Sequence, residues 1–145
     1  MLATTIDLLA LLSVGALWGG MAFFAAVYAP LVFIKLEAEA AGRFIRQVFP
    51  VYYLAMGITS GIAALALAFS DRHGVTAAFA MACVCAAFWL ARQALMPRIN
   101  RSRDAHLAGD DSAGRRFKRL HRASVIVNGV QLLVVLVVLA RFAWV

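Results

Sequence analysis

The sequence is poor in charged side chains, and the few that it has are unevenly distributed. Asp, Glu, Lys and Arg make up 14% of the 145 residues, whereas apolar residues make up 64%. Soluble domains have about 25% charged and about 45–50% apolar residues, so this composition excludes an ordinary soluble domain. Four stretches contain no charged residue at all: 8–34, 47–70, 73–91 and 123–140.

Each uncharged stretch is close in length to a membrane-spanning helix, which needs about 20 predominantly apolar residues. Within hydrocarbon every backbone N–H and C=O must be paired inside its own segment, so each stretch is expected to be helical. The sequence therefore predicts an all-α integral membrane four-helix bundle, with a single transmembrane domain over residues 1–145. The predicted spans cover about 7–34, 48–69, 75–96 and 119–141, and a polar cytoplasmic loop covers 97–114.

Residue patterns typical of metal, redox and catalytic sites are also missing. Cys83 and Cys85 lie two positions apart on one predicted span, so their side chains point to different faces and are not expected to form a bridge. The sequence has no P-loop, no nucleophile elbow, no metal-ligand spacing and no paired carboxylates within a span. It predicts no catalytic residue, no bound metal and no cofactor.

Basic residues are concentrated at two of the three connections between spans. Lys35, Arg43 and Arg46 lie between the first and second spans, and eight Lys or Arg residues lie within 98–122. Because short cytoplasmic loops are enriched in Lys and Arg, both connections are predicted to be cytoplasmic and both termini non-cytoplasmic. The net charge of +7 lies beside the spans, so the expected partners are anionic lipid headgroups and not nucleic acid.

Five basic residues at the start of the fourth span are predicted to contact these headgroups. They are Arg115, Arg116, Lys118, Arg119 and Arg122. A basic residue near an anionic surface contributes about 1 kcal/mol of attraction. A site for a partner protein is the alternative interpretation of this segment.

Polar side chains form a stripe along the fourth span. His121, Ser124, Asn128 and Gln131 occur at positions i, i+3, i+7 and i+10, which places them on one helix face. Because amides facing lipid lose their hydrogen bonds, this face must meet other helices or a wet cavity. The stripe is either interhelical hydrogen bonding, at about 0.6 kcal/mol for each bond, or one wall of a polar pocket. Tyr52 on the second span is a candidate for the same cavity.

His121 also carries a separate hypothesis, as a haem or metal ligand or a proton carrier. The other two histidines, His73 and His106, do not stand at ligand spacing from it. The flanking Arg119 and Arg122 disfavour a bound cation. The sequence therefore predicts no metal at His121.

Three prolines are expected to shape the spans. Pro30 is expected to bend the last turn of the first span, and Pro50 to mark where an interfacial turn becomes the second span. Pro97 is expected to end the third span.

Small residues recur at four-residue spacing, which permits close approach of helix backbones in a membrane. The pairs are Gly15 with Gly19 and Gly57 with Gly61, and Ala78, Ala82 and Ala86 follow the same spacing. We expect these stripes to pack within one molecule, and a homo-oligomer interface is the rival interpretation.

Several short strings occur together in an order that makes the set specific. They are Trp18-Gly19-Gly20-Met21, Tyr28-Ala29-Pro30, Phe49-Pro50-Val51-Tyr52-Tyr53, Pro97-Arg98-Ile99-Asn100, Arg103-Asp104, and Leu120-His121-Arg122-Ala123-Ser124 continuing to Asn128. In these strings the sequence resembles the bacterial branch of the transmembrane protein 205-like family, a domain of unknown function, along all four spans.

This resemblance implies a compact four-helix, multi-pass protein of the bacterial inner membrane with no established enzymatic activity. The eukaryotic relative is associated with resistance to platinum drugs. By position, the resemblance indicates these functional candidates: Pro30, Pro50, Asn100, Arg103, Asp104, His121, Ser124 and Asn128.

Three hypotheses of function follow. The first is a non-enzymatic bundle whose cytoplasm-facing polar groove binds a small ligand, a lipid or a partner protein. The second is a transporter or tolerance factor for a small solute or metal complex. The third is a tetrapyrrole- or haem-linked membrane oxidoreductase that uses His121.

Overall fold

The protein folds into helices throughout the part of the chain that its computed structural model describes, residues 2–72 and 74–144. The α-helices are α1 (Leu2–Phe23), α2 (Ala29–Lys35), α3 (Ala38–Ala68), α4 (Gly74–Leu90), α5 (Met96–Leu107) and α6 (Asp111–Arg141). Two π-helical turns, Phe24–Tyr28 and Ala91–Leu95, join α1 to α2 and α4 to α5 without a break. His73 lies outside the described residues.

These elements make four helical rods that are long and apolar enough to cross a membrane. Within the described residues the rods are Thr4–Lys35, Ala38–Ala68, Gly74–Leu107 and Asp111–Arg141. The prediction of an all-helical protein with four helices long and apolar enough to span a membrane is confirmed for the residues that the structure describes. The α3 rod packs against α1 and α4, and α6 packs against α1, α4 and α5.

The third rod is longer than predicted, because Pro97 does not end it. The predicted loop over 97–114 is wrong in its first part: α5 continues the rod to Leu107, and the connection to α6 is only three residues, 108–110. Gly109 makes this connection possible, since its φ of +100° is accessible mainly to glycine.

The third rod continues through Pro97 because a π-helical turn ends two residues before the proline. In this turn the N–H of Met96 bonds to the carbonyl of Ala91, five residues earlier, instead of four. The wider turn gives room for the proline ring, which in a regular helix collides with the preceding turn. The same arrangement precedes Pro30, where the N–H of Ala29 bonds to the carbonyl of Phe24.

The core is made of one apolar face from each rod. In α1 the buried residues are Ala10, Val14, Leu17 and Met21, at helical spacing. They pack in one cluster with residues of α3, α4 and α6, including Leu67, Met81, Phe88 and Val135. Large apolar side chains on other faces are exposed, such as Leu133 at 63%, and this apolar exterior suits a lipid environment.

The two glycine stripes differ in whether they pack against another helix. Gly57 and Gly61 face α4. A Cβ added at Gly57 would lie 3.6 Å from Phe88 Cβ, and one added at Gly61 would lie 3.5 Å from Cys85 Sγ, so this stripe packs internally as predicted. The internal packing predicted for Gly15 and Gly19 is wrong, since an added Cβ there would meet no atom within 4 Å. The core face of α1 is fixed by its larger residues, and the two glycines fall on another face.

Asp110 defines the start of α6 as its N-cap. Its Oδ1 atom accepts hydrogen bonds from the backbone N–H of Ser112 at 2.8 Å, from that of Ala113 at 3.2 Å, and from the Ser112 hydroxyl at 2.7 Å. The Ser112 hydroxyl, followed by the Ala113 N–H, holds the pKa of Asp110 below its ordinary value of 3.8.

Replacing Asp110 by alanine is expected to lower the melting temperature of the detergent-solubilised protein at neutral pH, because α6 loses its cap. Because the pKa of the Asp110 carboxyl is lower in the folded state than in the unfolded state, this group stabilises the folded state at pH values above its unfolded pKa. The contribution is lost as the pH falls through the folded pKa. The difference in melting temperature between the wild type and D110A should therefore shrink below about pH 4.

D111A is the matched control for this prediction, because Asp111 lies in the same turn and accepts none of these cap hydrogen bonds. An equal loss in D110A and D111A, or a D110A deficit that persists unchanged in strong acid, would contradict the assignment.

Candidate functional site

A cavity of about 340 Å³ opens at the end of the bundle where most basic residues lie, between α2, α3, α5 and α6. Its polar lining residues are Arg46, Tyr53, Asn100, Arg103, His121 and Ser124. Its remaining lining residues are apolar or glycine: Phe33, Gly42, Ile45, Phe49, Met96, Ile99 and Phe117. The cavity therefore combines a few polar groups with predominantly apolar walls.

One face of each long helix supplies these walls, as the spacing of the residues shows. In α3, Gly42, Arg46, Phe49 and Tyr53 are three or four residues apart. The α5 and α6 lining residues have the same helical spacing. Pro50 does not interrupt the α3 face, because it lies inside a continuous helix.

An ion pair between α3 and α5 lies at the edge of the cavity. Both guanidinium nitrogens of Arg46 donate to the Asp104 carboxylate, at 2.7 and 3.3 Å. Side-chain exposures of 36% and 56% place the pair at the surface, so solvent weakens its contribution to stability. The pair neutralises Arg46 and fixes the distance between the two helices.

Arg103 is the second arginine of the cavity, and Asp104 attracts it only through space, without a direct contact. Arg103 forms no hydrogen bond or ion pair with any residue that the structure describes. Its guanidinium lies directly over Gly42, where even a single added carbon would collide with it. The absence of a side chain at Gly42 thus makes room for a positive charge beside the cavity.

An aromatic cluster closes the cavity on the side of the bundle interior. Phe49 and Tyr53 line the cavity, with ring centroids 5.3 Å apart. Behind them, the rings of Phe24 and Tyr52 stack at 4.2 Å, and Phe88 packs against both tyrosines. Tyr52, Tyr53 and Phe88 belong to the apolar core, so the inner wall of the cavity is the aromatic edge of that core.

The polar stripe of α6 is divided between the cavity and a packed seam. His121 and Ser124 line the cavity, and the Ser124 hydroxyl donates to the His121 carbonyl at 2.7 Å. Gln131 is deeper and only 6% exposed, and its amide donates to the carbonyl of Val84 at 3.2 Å. The stripe is thus partly cavity wall and partly interhelical hydrogen bonding.

Two buried polar atoms lie between these two parts. Among the described residues, the Tyr52 hydroxyl and the Asn128 amide oxygen make no hydrogen bond of regular geometry, although the two side chains lie close enough for a weak one with each other. Tyr52 does not line the cavity, whereas its neighbour Tyr53 does. Asn128 also lies outside the lining.

None of the five α3 lining residues was predicted as a site residue; the cavity candidate on this helix was Tyr52. Arg46, Phe49 and Tyr53 share a helix face with the close-approach position Gly42, and this spacing is visible in the sequence. The expectation that Pro50 separates an interfacial turn from the span divides this continuous face in two.

The predicted headgroup residues lie on the other side of the α5–α6 hairpin. Arg115, Arg116 and Arg119 line shallow surface hollows there. Lys118 and Arg122 are exposed but line neither hollow.

The histidines are not brought together in the described part of the chain. The His121 ring stacks on Phe117 with centroids 5.9 Å apart. His106 belongs to α5, and an added Cβ at Gly114 would lie 2.7 Å from its Nδ1 atom. The described residues include no group of three or more His, Cys, Asp or Glu side chains placed to hold a metal ion.

Leucine at Gln131 is expected to lower the free energy of unfolding by about 0.6 kcal/mol, since it removes an interhelical hydrogen bond. Leucine at Asn128 should cost less, because the amide oxygen there has no hydrogen bond of regular geometry to lose. Equilibrium unfolding in detergent micelles measures both. If N128L were the more damaging change, the Asn128 amide must be bonded in the folded protein, either to the Tyr52 hydroxyl or to a water or ligand atom.

Residues 12–106 match the family described as a domain of unknown function (DUF4149). The matched region extends from α1 to α5 and contains the α3 and α5 walls of the cavity. No curated protein and no solved structure matches. An uncharacterised domain family is thus confirmed, and the resemblance to the transmembrane protein 205-like family stays a prediction.

Proposed function

The chain belongs to the DUF4149 family, a domain of unknown function, and we propose that it is a non-enzymatic membrane protein that binds an anionic amphiphile in the cavity. The ligand class is a single carboxylate or phosphate group attached to an apolar body. The observation that carries this proposal is the unpaired Arg103 guanidinium beside a mainly apolar cavity.

The size and lining of the cavity support this class of ligand. Small-molecule sites typically have volumes of roughly 300–1,000 Å³, with apolar walls and a few polar groups that orient the ligand, and this cavity has about 340 Å³. Asn100 and Ser124 offer further hydrogen-bonding groups to a bound headgroup. The apolar walls, such as Phe49 and Ile99, suit the body of the ligand.

Charge supports an anion with one negative group. Asp104 is hydrogen-bonded to Arg46 at the edge of the cavity and interacts with Arg103 only through space, so Arg103 is the cation whose donors are left for a ligand. A charged guanidinium that binds an anion away from bulk water forms stronger hydrogen bonds than neutral donors do. A neutral amphiphile would gain only the apolar contacts.

We further propose that the cavity faces the cytoplasm of a bacterial cell, with the protein in the inner membrane and both termini on the opposite side. The concentration of Lys and Arg at the cavity end supports this orientation. The resemblance to the transmembrane protein 205-like family supports the bacterial location. The basic segment that begins α6 would then face anionic headgroups of the inner leaflet.

Two other hypotheses stay predictions without a specific observation in their favour. One is the transport of a small solute or metal complex, and the other is a tetrapyrrole-linked reaction at His121. A protein partner or a second copy of the chain is likewise untested.

Alanine at Gly42 is expected to weaken ligand binding without removing any charge, because the added carbon displaces the Arg103 guanidinium. R103Q should weaken binding about tenfold or more, since hydrogen bonds to charged groups are worth about 1.5–3 kcal/mol. The probe is radiolabelled dodecyl phosphate, titrated against the protein in phosphatidylcholine nanodiscs. G42A should approach the loss seen in R103Q.

G129A is the matched control, because Gly129 is also helical and an added Cβ there meets no atom within 4 Å. Alanine is favourable in helices, so both glycine variants should remain folded, which size-exclusion chromatography checks. The proposal would be overturned if both G42A and R103Q bound dodecyl phosphate with wild-type affinity. It would also be overturned if the wild-type protein bound the uncharged dodecanol as tightly as dodecyl phosphate.

Single cysteines placed at Asp71 and Lys118, in a C83S/C85S background, test the orientation. An impermeant thiol reagent added to intact cells should label D71C and not K118C, and cell lysis should make K118C reactive. Labelling of both positions in intact cells would exclude four spans, and the reverse pattern would invert the orientation.

A further inference from the structure

A second charged feature lies on the outer side of the α5–α6 hairpin, away from the cavity. A shallow hollow there is lined by Ser112, Arg115, Arg116 and Arg119. All four residues come from the first turns of α6 and are exposed. Three guanidinium groups thus surround one hollow at the surface.

A second hollow adjoins the first and shares two of its arginines. Its lining includes Arg98, Arg101 and Ser102 of α5, together with Arg116 and Arg119 of α6. Ser102 is only 4% exposed and lies at the helix interface. The Arg101 guanidinium is held toward its own helix by a hydrogen bond from Nε to the Pro97 carbonyl, at 3.3 Å.

Neither hollow has a carboxylate in its lining. None of the five arginines forms an ion pair with a residue that the structure describes. Asp110, which accepts three hydrogen bonds as the α6 cap, is close enough to Arg116 to interact with it, and Asp111 lies in the same first turn of α6. Clustered like charges repel, so this surface gains most from a ligand that brings several negative charges.

The position of the hollows indicates a lipid rather than a soluble anion. Leu120 forms part of the second hollow, and the uncharged stretch of α6 begins at residue 123. Below this point exposed apolar side chains such as Val127 continue along the helix. A headgroup held by the arginines would therefore have a surface for its acyl chains directly beneath it.

We propose that this outer face binds a membrane lipid whose headgroup carries two phosphates joined by a short bridge. One phosphate occupies each hollow, and Arg116 and Arg119 lie between them and contact both. Arg98 and Arg101 serve one phosphate, and Arg115 serves the other. This site uses the outer faces of α5 and α6, whereas the cavity uses their inner faces, so it is independent of the proposed cavity function.

The test compares lipid binding by the whole protein in nonionic detergent, measured by native mass spectrometry. The two probes are diphosphatidylglycerol and phosphatidylglycerol, compared at equal phosphate concentration. The wild type should prefer the diphosphate lipid by at least about fivefold, the factor that corresponds to about 1 kcal/mol from one shared basic residue. The R116Q/R119Q variant should bind the two lipids equally well when they are compared at equal phosphate concentration.

K118Q/R122Q is the matched control, because it removes the same charge from the same helix at residues that line neither hollow. This variant should weaken the binding of both lipids by a similar factor and leave the preference for the diphosphate lipid unchanged. If both double variants lose the preference equally, or if the wild type has none, general surface charge explains the binding and the proposal is wrong.

Two further measurements separate the alternatives. Inorganic pyrophosphate should compete poorly with diphosphatidylglycerol, and strong competition would show that the site takes a soluble diphosphate instead of a lipid. R103Q should keep the lipid preference. Its loss in R103Q would mean that the lipid binds in the cavity, whereas failure of dodecyl phosphate binding alone leaves this site unaffected.

Discussion

The structure depends on the pairing of backbone amides and carbonyls wherever the chain is surrounded by hydrocarbon. This constraint makes four uninterrupted rods out of a chain that contains three prolines, each of which removes a donor. The π-helical turns before Pro30 and Pro97 keep two rods continuous, so that the helix after each turn can extend beyond the apolar region. Without the second of these turns, α5 would not stand beside α6, and neither the cavity nor the arginine surface would exist.

The two sides of the α5–α6 hairpin carry different arrangements of charged side chains. Its inner side presents one unpaired guanidinium, Arg103, to an apolar cavity, whereas its outer side presents five arginines without a carboxylate among them. The paired Arg46 and Asp104 lie at the edge of the inner side, where they hold α3 against the hairpin. A weak ion pair is sufficient for this purpose, because buried apolar contacts already fix the rods.

The sequence was sufficient to predict the rods and part of the site, for reasons that particular residues make clear. Uncharged length alone determines the span count. His121, Ser124, Asn100 and Arg103 were predicted from helical spacing or from resemblance, and all four line the cavity. The same spacing could not show that Gln131 meets Val84 in a seam, because periodicity defines a face and not its neighbour. Pro97 was expected to end the third span because a proline ends a regular helix, and no sequence pattern indicated the wider turn that accommodates it.

Each π-helical turn contains one residue more than a regular helix would need to cover the same length. The residues after the turn are therefore rotated by about 100° relative to an unbroken α-helix, since a regular helix has 3.6 residues per turn. This offset lets α4 direct Phe88 into the core while α5 directs Asn100 and Arg103 into the cavity. A chain shortened by one residue within 91–95 would lose the wider turn that accommodates Pro97, and any rod that still formed would have its cavity face and its arginine face turned away from their present partners.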